Sequence, residues 1–241
     1  MSAIIFDTES TGVDPPRLIE AAWLKFSHPH DRTPQEQFQQ RYNPGKPISL
    51  GALAQHHILD EELAECPPYD AFRLPAGVEY LVGYNVDFDW KVINRPEIKR
   101  ICVMALASYC FPQLDSYAQS AVLYHVARQR AREWLQNAHA ALQDVHNCAR
   151  ILRHIVQRML PETTASWESV WRHSELARIP TVMPFGKHKG RSLQDVPADY
   201  KRWLLSQPDI DPYLVKALRR EPRCCRQAAR LSPDAERARN L

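Results

Sequence analysis

Five residues of this chain could act together in one reaction, although they lie far apart in the sequence: Asp7, Glu9, Asp89, His139 and Asp144. Clustered carboxylates are the ligands that hard divalent cations such as Mg²⁺ prefer in proteins. A histidine beside them can remove a proton from water near neutral pH, because its ordinary pKa is about 6.5. If the fold brings these side chains together, they indicate metal-assisted hydrolysis of a phosphodiester bond.

Asp7 and Glu9 are two residues apart at the end of a predicted strand over 3–7. On a strand this spacing places both side chains on the same face of the sheet. Two carboxylates so close together repel each other, and the repulsion raises the pKa of one of them unless a cation neutralises it. The alternative is a solvent-facing acid pair on an edge strand. The apolar residues before Asp7 favour a central strand and therefore a metal site.

Asp87 and Asp89 compete for the role of the third acid, because both follow the strand predicted over 79–84. Asp87 is better placed to start the helix predicted over 87–94, where aspartate caps free backbone N–H groups. Asp89 is expected in the first turn of that helix, facing the end of the strand. Capping is the commoner role for an acid at such a position, so the local pattern leaves the choice open.

His139 and Asp144 are separated by five residues, which on one continuous helix would place them about 140° apart. We therefore expect His139 in the loop before the helix predicted over 140–159, with Asp144 in an early turn. Apolar residues recur at helical spacing through that segment. Taken alone, His139 is better explained as a surface histidine.

The elements that must position these residues predict an α/β domain. Strands are predicted over 3–7, 18–26, 37–42 and 79–84, and helices over 48–65 in two pieces, 87–94, 101–109, 116–134 and 140–159. Leading strands followed by helices favour a mixed sheet flanked by helices. Residues 1–160 are expected to form this domain and 161–180 a linker with a short helix over 167–176. Residues 181–218 are predicted to form a small module, and 219–241 a flexible basic tail.

Composition limits the possible classes of protein. The chain has 241 residues, of which 44% are hydrophobic and 24% charged, as in an ordinary globular protein. Its apolar runs are too short to cross a bilayer, and no secretory signal is visible. The six cysteines have no CxxC spacing, so we expect reduced thiols and a cytoplasmic location.

Charge is distributed unevenly along the chain. Residues 181–241 contain 13 Lys and Arg against 7 Asp and Glu, whereas residues 1–180 contain 18 against 21. A mildly acidic body followed by a basic segment fits a polyanionic substrate. A solvated tail without a partner fits the charge equally well.

Three motifs occur in the order and spacing typical of one nuclease family. They are DTESTG from Asp7, NVDFD ending at Asp89, and HAALQD from His139 to Asp144. Through them the chain resembles the DEDDh 3′→5′ exonucleases, whose fold is ribonuclease H-like. The resemblance selects Asp89 over Asp87. The family's H-G-I-T element is matched only in part, by HHIL from His56.

The resemblance implies a mechanism with two Mg²⁺ or Mn²⁺ ions. Asp7 is implied to bridge the ions, and Glu9 and Asp144 to bind the ion that holds the attacking water. Asp89 supports the second ion, and His139 is the general base. The implied reaction releases 5′-mononucleotides from the 3′ end of DNA. The implied process is DNA repair. The residues expected to contact substrate are Thr8, Ser10, Thr11, Gly12, Val13, His56, Asn85 and Phe88.

Val13 is placed to press on the terminal base, as apolar wedges do between bases. Packing within its own turn explains Val13 equally well. The backbone of 8–12 is expected to lie near the terminal nucleotide.

A segment near the C-terminus resembles a small F-G-K-x-x-G module that follows the nuclease domain in one member of the family. Here it reads FGKHKG, from residue 185 to 190. Lys187, Lys189 and Arg191 alternate on a predicted hairpin and are candidates for contacts with phosphates.

Three aromatic residues of the module, Phe185, Tyr200 and Trp203, have two interpretations. They could stack on bases, or they could form the core of the module. Because a small module needs aromatic residues for its core, the core is the interpretation we favour.

Two other functions use the same residues. An exonuclease acting on RNA or oligoribonucleotides would need the same acids, and a binding module would keep the fold without turnover. The complete acid set argues against the binding module. The expected partner is DNA, as single strands or as the 3′ ends of duplexes, with RNA as the alternative. No membrane partner is expected, and both a monomer and a homodimer fit the sequence.

Overall fold

A computed structural model of the chain describes residues 2–135 and 140–219. The chain divides into two compact units, Met1–Arg178 and Ile179–Leu241. His139 and the segment 220–241, which contains most of the predicted basic tail, lie outside the described residues. No helix among the described residues is long and apolar enough to cross a membrane.

The first unit is built on a five-stranded sheet in the order β3-β2-β1-β4-β5. The strands are β1 (Ser2–Ser10), β2 (Leu18–Phe26), β3 (Glu36–Arg41), β4 (Val78–Gly83) and β5 (Lys99–Cys102). β2 is antiparallel to β1 and β3, whereas β4 is parallel to β1 and β5. The mixed sheet predicted from the sequence is confirmed, with β1 in its centre.

Helices pack on both faces of this sheet, as expected for an α/β domain. They are α1 (Leu50–His56), α2 (Val86–Val92), α3 (Val103–Cys110), α4 (Gln119–Trp134), α5 (Ala141–Met159) and α6 (Trp167–Ala177). Short 3₁₀ turns occur at Asp60–Leu63 and Tyr69–Ala71. The long apolar stripe of α5 explains why that helix could be predicted from its sequence.

The alternation of side chains along β1 divides the core in two. Ala3 and Ile5 pack with residues of α3, α5 and α6, whereas Ile4 and Phe6 pack on the other face with residues of α2. Because successive side chains of a strand point to opposite faces, Asp7 and Glu9 continue the α5 face. Thr8 continues the α2 face.

The boundary of the first unit differs from the sequence-based expectation. The short helix expected over 167–176 is present as α6. The range 161–180 around it was expected to be a linker, but the first unit extends to Arg178. Trp167 and Val170 of α6 are buried in the same core as α5, and the Ser174 hydroxyl accepts a 2.9 Å hydrogen bond from the Cys102 amide. The apolar face of α6 outweighs the turn-forming residues that precede it.

β5 was also missed, because a helix was expected over 101–109. β5 ends at Cys102, and α3 begins at Val103. A four-residue strand followed immediately by a helix leaves too few residues to show a period of two.

The second unit contains α7 (Ala198–Leu205) and α8 (Pro212–Arg219), with 3₁₀ turns at Gly186–His188 and Leu193–Asp195. Its core is aliphatic and consists of Met183, Leu193, Val196, Leu204 and Leu214. The segment predicted as a hairpin is closed at its base by an antiparallel bridge between Val182 and Ser192, but its tip is a 3₁₀ turn.

The expectation that aromatic residues form the core of this unit was wrong for two of them. The side chains of Phe185 and Trp203 are 45% and 52% exposed, and only Tyr200 packs against the core from its edge. Aliphatic residues fill the interior instead, which leaves these rings available to other molecules.

Candidate active site

Three carboxylates converge where β1 faces α5. One carboxylate oxygen from each of Asp7, Glu9 and Asp144 lies within 4.8 Å of the other two. β1 supplies the first two acids by its alternation, and the first turn of α5 supplies the third. All three are half-buried, so the cluster is open to small ions and solvent. Oxygen ligands at this spacing match the preference of hard divalent cations.

Burial and electrostatic repulsion together disfavour the ionised acids of the cluster in the absence of a cation. The pKa of Asp7 lies well above its ordinary value. Burial is the largest cause, and the charges of Asp89, Glu9 and Asp144 add to it. Burial, then Asp144 and Glu20, raises the pKa of Glu9 to about 8. Simultaneous ionisation of these acids is therefore unfavourable at neutral pH, and a bound cation would stabilise their ionised forms.

Asp89 approaches the same region from the opposite face of β1. It is 5% exposed, and its Oδ1 atom accepts hydrogen bonds from the Thr8 amide at 3.0 Å and the Thr8 hydroxyl at 2.8 Å. Burial raises the pKa of Asp89 to about 7, although the bonds from Thr8 oppose the rise. The charge of Asp89 raises the pKa of Asp7, which places the two carboxyl groups within electrostatic reach.

Asp87, the competing acid, is held in a different environment. Its carboxylate forms ion pairs with Arg100 and Arg178, and the Arg178 side chain is only 5% exposed. Neither aspartate caps α2, whose N-cap residue is Asn85. Asp87 thus ties α2 to α6 and the edge of the sheet, whereas Asp89 faces β1.

The predicted base, His139, lies outside the described residues, so its role stays a prediction. The described part of this segment resumes at Ala140, the N-cap residue of α5. The Asp144 amide donates to the Ala140 carbonyl at 3.1 Å, which fixes the acid in the first turn of the helix. The prediction that Asp144 lies in an early turn is confirmed.

Glu20 is an acid of this region that sequence reasoning missed. It lies directly opposite Glu9 on β2, is 3% exposed, and accepts hydrogen bonds at 3.3 Å from the Ala141 amide and from Arg41 Nε. Arg41 also pairs with Glu62 at 2.7 Å. Glu20 therefore ties β2 to the first residue of the helix that carries Asp144. A single acid inside an otherwise apolar strand was the available signal.

The turn after β1 is shaped by Gly12. Its φ is +143°, and a side chain there would begin 2.9 Å from the Ser49 hydroxyl, so only glycine fits. The Ser10 hydroxyl donates to the Gly12 carbonyl, and Thr11 exchanges backbone hydrogen bonds with neighbouring segments. Val13 follows with 82% of its surface exposed, so packing within the turn does not account for it.

The remaining predicted contact residues lie in different environments. His56 is 7% exposed and its Nδ1 atom accepts a 3.0 Å hydrogen bond from the Ile58 amide. Asn85 is exposed at the start of α2, and Phe88 is half-buried against the α2-side core. The basic residues Lys187, Lys189 and Arg191 belong to the second unit and are all exposed.

Comparison with known proteins extends these observations to a family. Residues 4–152 match a family model described as "Exonuclease", a range that contains all five residues with candidate chemistry. Residues 173–208 match a second model, described as "Putative quorum-sensing-regulated virulence factor".

Two curated proteins are similar in sequence to parts of this chain. Exodeoxyribonuclease 10 of Escherichia coli (strain K12) is 29% identical over 174 residues, which cover 69% of this chain and 75% of the relative. A DNA polymerase III subunit epsilon-like protein of Rhodobacter capsulatus is 26% identical over 199 residues, covering 74% of this chain and 27% of that protein.

Solved structures share the fold. A structure described as "Exonuclease X in complex with 5' overhanging duplex DNA" has a TM-score of 0.56 and 25% identity, and the match covers 70% of this chain and 99% of that one. E. coli Exonuclease I in complex with a dA16 oligonucleotide has a TM-score of 0.53 at 16% identity, covering 76% of this chain and 46% of that one. The ribonuclease H-like α/β fold expected from the sequence is confirmed. The exonuclease family model matches most of the chain, and acids within the matched range converge on β1. This chain therefore belongs to the exonuclease family.

Proposed function

We propose that this chain is a divalent-metal-dependent 3′→5′ exodeoxyribonuclease, which removes 5′-mononucleotides from the 3′ end of DNA. The observation that carries the proposal is the convergence of Asp7, Glu9 and Asp144 within 4.8 Å, with buried Asp89 on the other face of the same strand. Phosphodiester hydrolysis needs concentrated positive charge at the reacting phosphate, and such acids are how a protein holds it.

DNA is favoured as the substrate by the relatives. The curated relative from E. coli is called an exodeoxyribonuclease, and the structure of exonuclease X contains duplex DNA with a 5′ overhang. A duplex with a 5′ overhang has a recessed 3′ end, which matches the proposed polarity. A role in DNA repair and a cytoplasmic location stay predictions.

The donor set fits Mg²⁺ or Mn²⁺, because every candidate ligand is a carboxylate oxygen. We infer that Asp7, Glu9, Asp144 and Asp89 would hold two such ions between them. When bound, such ions stabilise the attacking and leaving oxygens of the displacement. The raised pKa values of Asp7, Glu9 and Asp89 support this fit, since each acid gains most from a neighbouring cation.

The chain's own residues then position substrate and move a proton. His139 is proposed to take the proton from the attacking water, a role suited to its ordinary pKa of about 6.5. The fixed turn at Gly12 orients the backbone of 8–12 for the terminal nucleotide, and exposed Val13 is proposed to press on its base. His56, Asn85 and Phe88 are proposed to complete the nucleotide pocket.

Side-by-side digestion of DNA and RNA oligonucleotides of one sequence tests this function. We expect the wild-type chain to release 5′-mononucleotides from DNA faster than from RNA, and we expect His139→Ala to release almost none. Faster release from RNA would replace the proposed substrate. Oligonucleotide products in place of mononucleotides would contradict exonuclease action.

A further inference from the structure

The second unit carries an exposed surface that combines aromatic rings with cations. We call it the aromatic–basic surface and define it by Phe185, Lys187, Lys189, Arg191, Tyr200 and Trp203. Tyr200 and Trp203 are three residues apart on α7 and therefore share one face of that helix. The other four lie on the segment 185–191, which packs over this face.

Two rings of this surface, those of Tyr200 and Trp203, form a row with the ring of neighbouring His188. The His188 ring lies 4.7 Å from the Tyr200 ring, edge to face, and the Tyr200 ring lies 5.3 Å from the Trp203 ring. Trp203 ends the row with half of its surface exposed. A row of adjacent rings with an open end offers a flat surface on which another planar group can stack.

Gly186 makes this arrangement possible. Its φ is +70°, and a side chain there would begin 2.7 Å from the Tyr200 hydroxyl. The segment can therefore approach Tyr200 only with glycine at this position. The loop is consequently held close to the rings, with Lys187 and Lys189 on either side of His188.

The unit does not need the exposed rings for its own folding core. Met183, Leu193, Val196, Leu204 and Leu214 are each less than 9% exposed and fill the interior. Exposing Phe185 and Trp203 leaves apolar area in water, at a cost of about 25 cal/mol for each Å². Binding a planar apolar group would recover this cost.

The cations of the surface form no ion pair with another residue in the part of the chain that the structure describes. Within the described ranges 2–135 and 140–219, no ion pair includes Lys187, Lys189 or Arg191. Residues 179–219 contain seven Lys and Arg against four Asp and Glu. The surface therefore matches a ligand that is planar and apolar in one part and anionic in another.

We propose that the aromatic–basic surface binds single-stranded DNA. Bases stack on Trp203 and Phe185, while Lys187, Lys189 and Arg191 contact phosphates. Unpaired bases expose the flat faces that such stacking needs, whereas the bases of a duplex are covered by their neighbours. The choice of DNA rests on the proposed function, but the surface is separate in sequence from the acids of β1 and adds a second place of contact with the strand.

Fluorescence anisotropy of a labelled dT20 oligonucleotide tests the proposal with the full chain in EDTA, where we expect no turnover. We expect Trp203→Ala to raise the Kd for dT20 about 5- to 150-fold, the effect of one lost stacking contact of about 1–3 kcal/mol. Trp203→Phe should restore most of the affinity, because it keeps a ring. Tyr109→Ala, which removes a similarly exposed ring of α3, should leave the Kd unchanged.

The salt dependence of binding gives an independent readout of the cations. Lys187→Ala with Lys189→Ala should reduce the slope of log K against log salt by about 1.4, because each phosphate contact on a single strand contributes about 0.7. Arg172→Ala removes an exposed cation of the first unit and should leave the slope unchanged. This readout needs no change at Trp203 and so does not depend on how that variant folds.

Two results would overturn the proposal: a Kd for Trp203→Ala within twofold of wild type, or an unchanged salt slope in the double lysine variant. Either result leaves the exonuclease function standing if the wild-type chain still degrades DNA. Conversely, a chain that binds dT20 through Trp203 but degrades no DNA would contradict the proposed function and leave this surface in place.

Discussion

Two regions of the molecule are proposed to meet DNA, and they carry opposite charges. One is the acid cluster at the end of β1, and the other is the aromatic–basic surface of the second unit. In the cluster, Asp7, Glu9 and Asp144 gather in a half-buried position where burial and mutual repulsion raise the pKa values of Asp7 and Glu9. On the surface, Lys187 and Lys189 are exposed. Acids gathered at such a cost indicate a bound cation as intermediary, whereas exposed cations can meet phosphates directly.

The two regions also differ in how strongly the fold constrains them. Each acid of the cluster is placed by a strand or helix of the main core, and Glu20 and Thr8 hold the surrounding elements by hydrogen bonds. The aromatic–basic surface depends on one loop and one helix around a small aliphatic core. We therefore expect substitutions in the cluster to change turnover and substitutions on the surface to change affinity.

A large effect on turnover should come from the acid on α2. Asp89→Asn should lower kcat on the order of 10³-fold, because a metal ion supplies several kcal/mol of transition-state stabilisation. Steady-state kinetics on single-stranded DNA would measure the loss.

Asp87→Asn is the matched control, since it changes the same group two residues away on the same helix. Its carboxylate pairs with Arg100 and buried Arg178, so we expect a lower melting temperature and a kcat within twofold of wild type. A reversal of the two kcat values would show that Asp87, not Asp89, serves the reaction.

The burial of Glu9 and its repulsion by neighbouring acids should appear in the metal-free stability of the protein. The pKa of Glu9 is raised from 4.5 to about 8, so the folded state binds its proton more tightly than the unfolded state does. Stability from this proton is complete below about pH 4.5 and is lost as the pH rises through about 8. Melting in EDTA should therefore show wild type losing stability over this range.

Glu9→Gln should escape part of this loss, because it places no charge in the half-buried site and none beside the neighbouring acids. At about pH 8.5 in EDTA we expect it to melt about 5 °C above wild type, equivalent to about 2 kcal/mol for a chain of this size. Glu61→Gln, at an exposed position, should melt with wild type. A Glu9→Gln melting temperature below that of wild type at this pH would contradict the account of the cluster.

A smaller effect should come from Glu20, which we expect to act as a positioning residue. Glu20→Ala removes the acceptor of the Ala141 amide, so α5 loses a contact at its first residue. We expect kcat to fall about 10-fold with little change in KM, equivalent to about 1.4 kcal/mol. Glu20→Gln keeps an acceptor and should recover most of the rate.

The control for Glu20 is Glu36→Ala, which removes an exposed acid paired with Lys25 on the outer strands. It should leave both kinetic constants unchanged. Equal values of kcat for Glu20→Ala and wild type would show that Glu20 does not position the acid on α5 for the reaction.

The acids of β1 and α5 could be predicted from the sequence because local periodicity determines them. A strand places Asp7 and Glu9 on one face, and the apolar stripe of α5 places Asp144 in its first turn. The choice between Asp87 and Asp89 could not come from local pattern, since it depends on which carboxylate meets the arginines and which meets Thr8. Glu20 was missed for the same reason: its partner at Ala141 is 121 residues away.

Errors in the sequence-based fold have related causes. Pro161 and its polar neighbours indicated a linker, but the buried face of α6 determines where the first unit ends. Trp203 was expected in a core because aromatic residues usually supply buried area, yet aliphatic residues fill that interior. Composition cannot decide which of several apolar residues will be buried, because burial depends on packing between segments.

The most direct test of the central claim is the digestion of 5′-labelled single-stranded DNA by the wild-type chain and by Asp7→Asn, with Mg²⁺ and with EDTA. We expect a ladder that shortens stepwise from the 3′ end only for wild type with Mg²⁺. Digestion by wild type in EDTA, or by Asp7→Asn at the wild-type rate, would contradict the claim that this acid cluster holds the metal of an exonuclease.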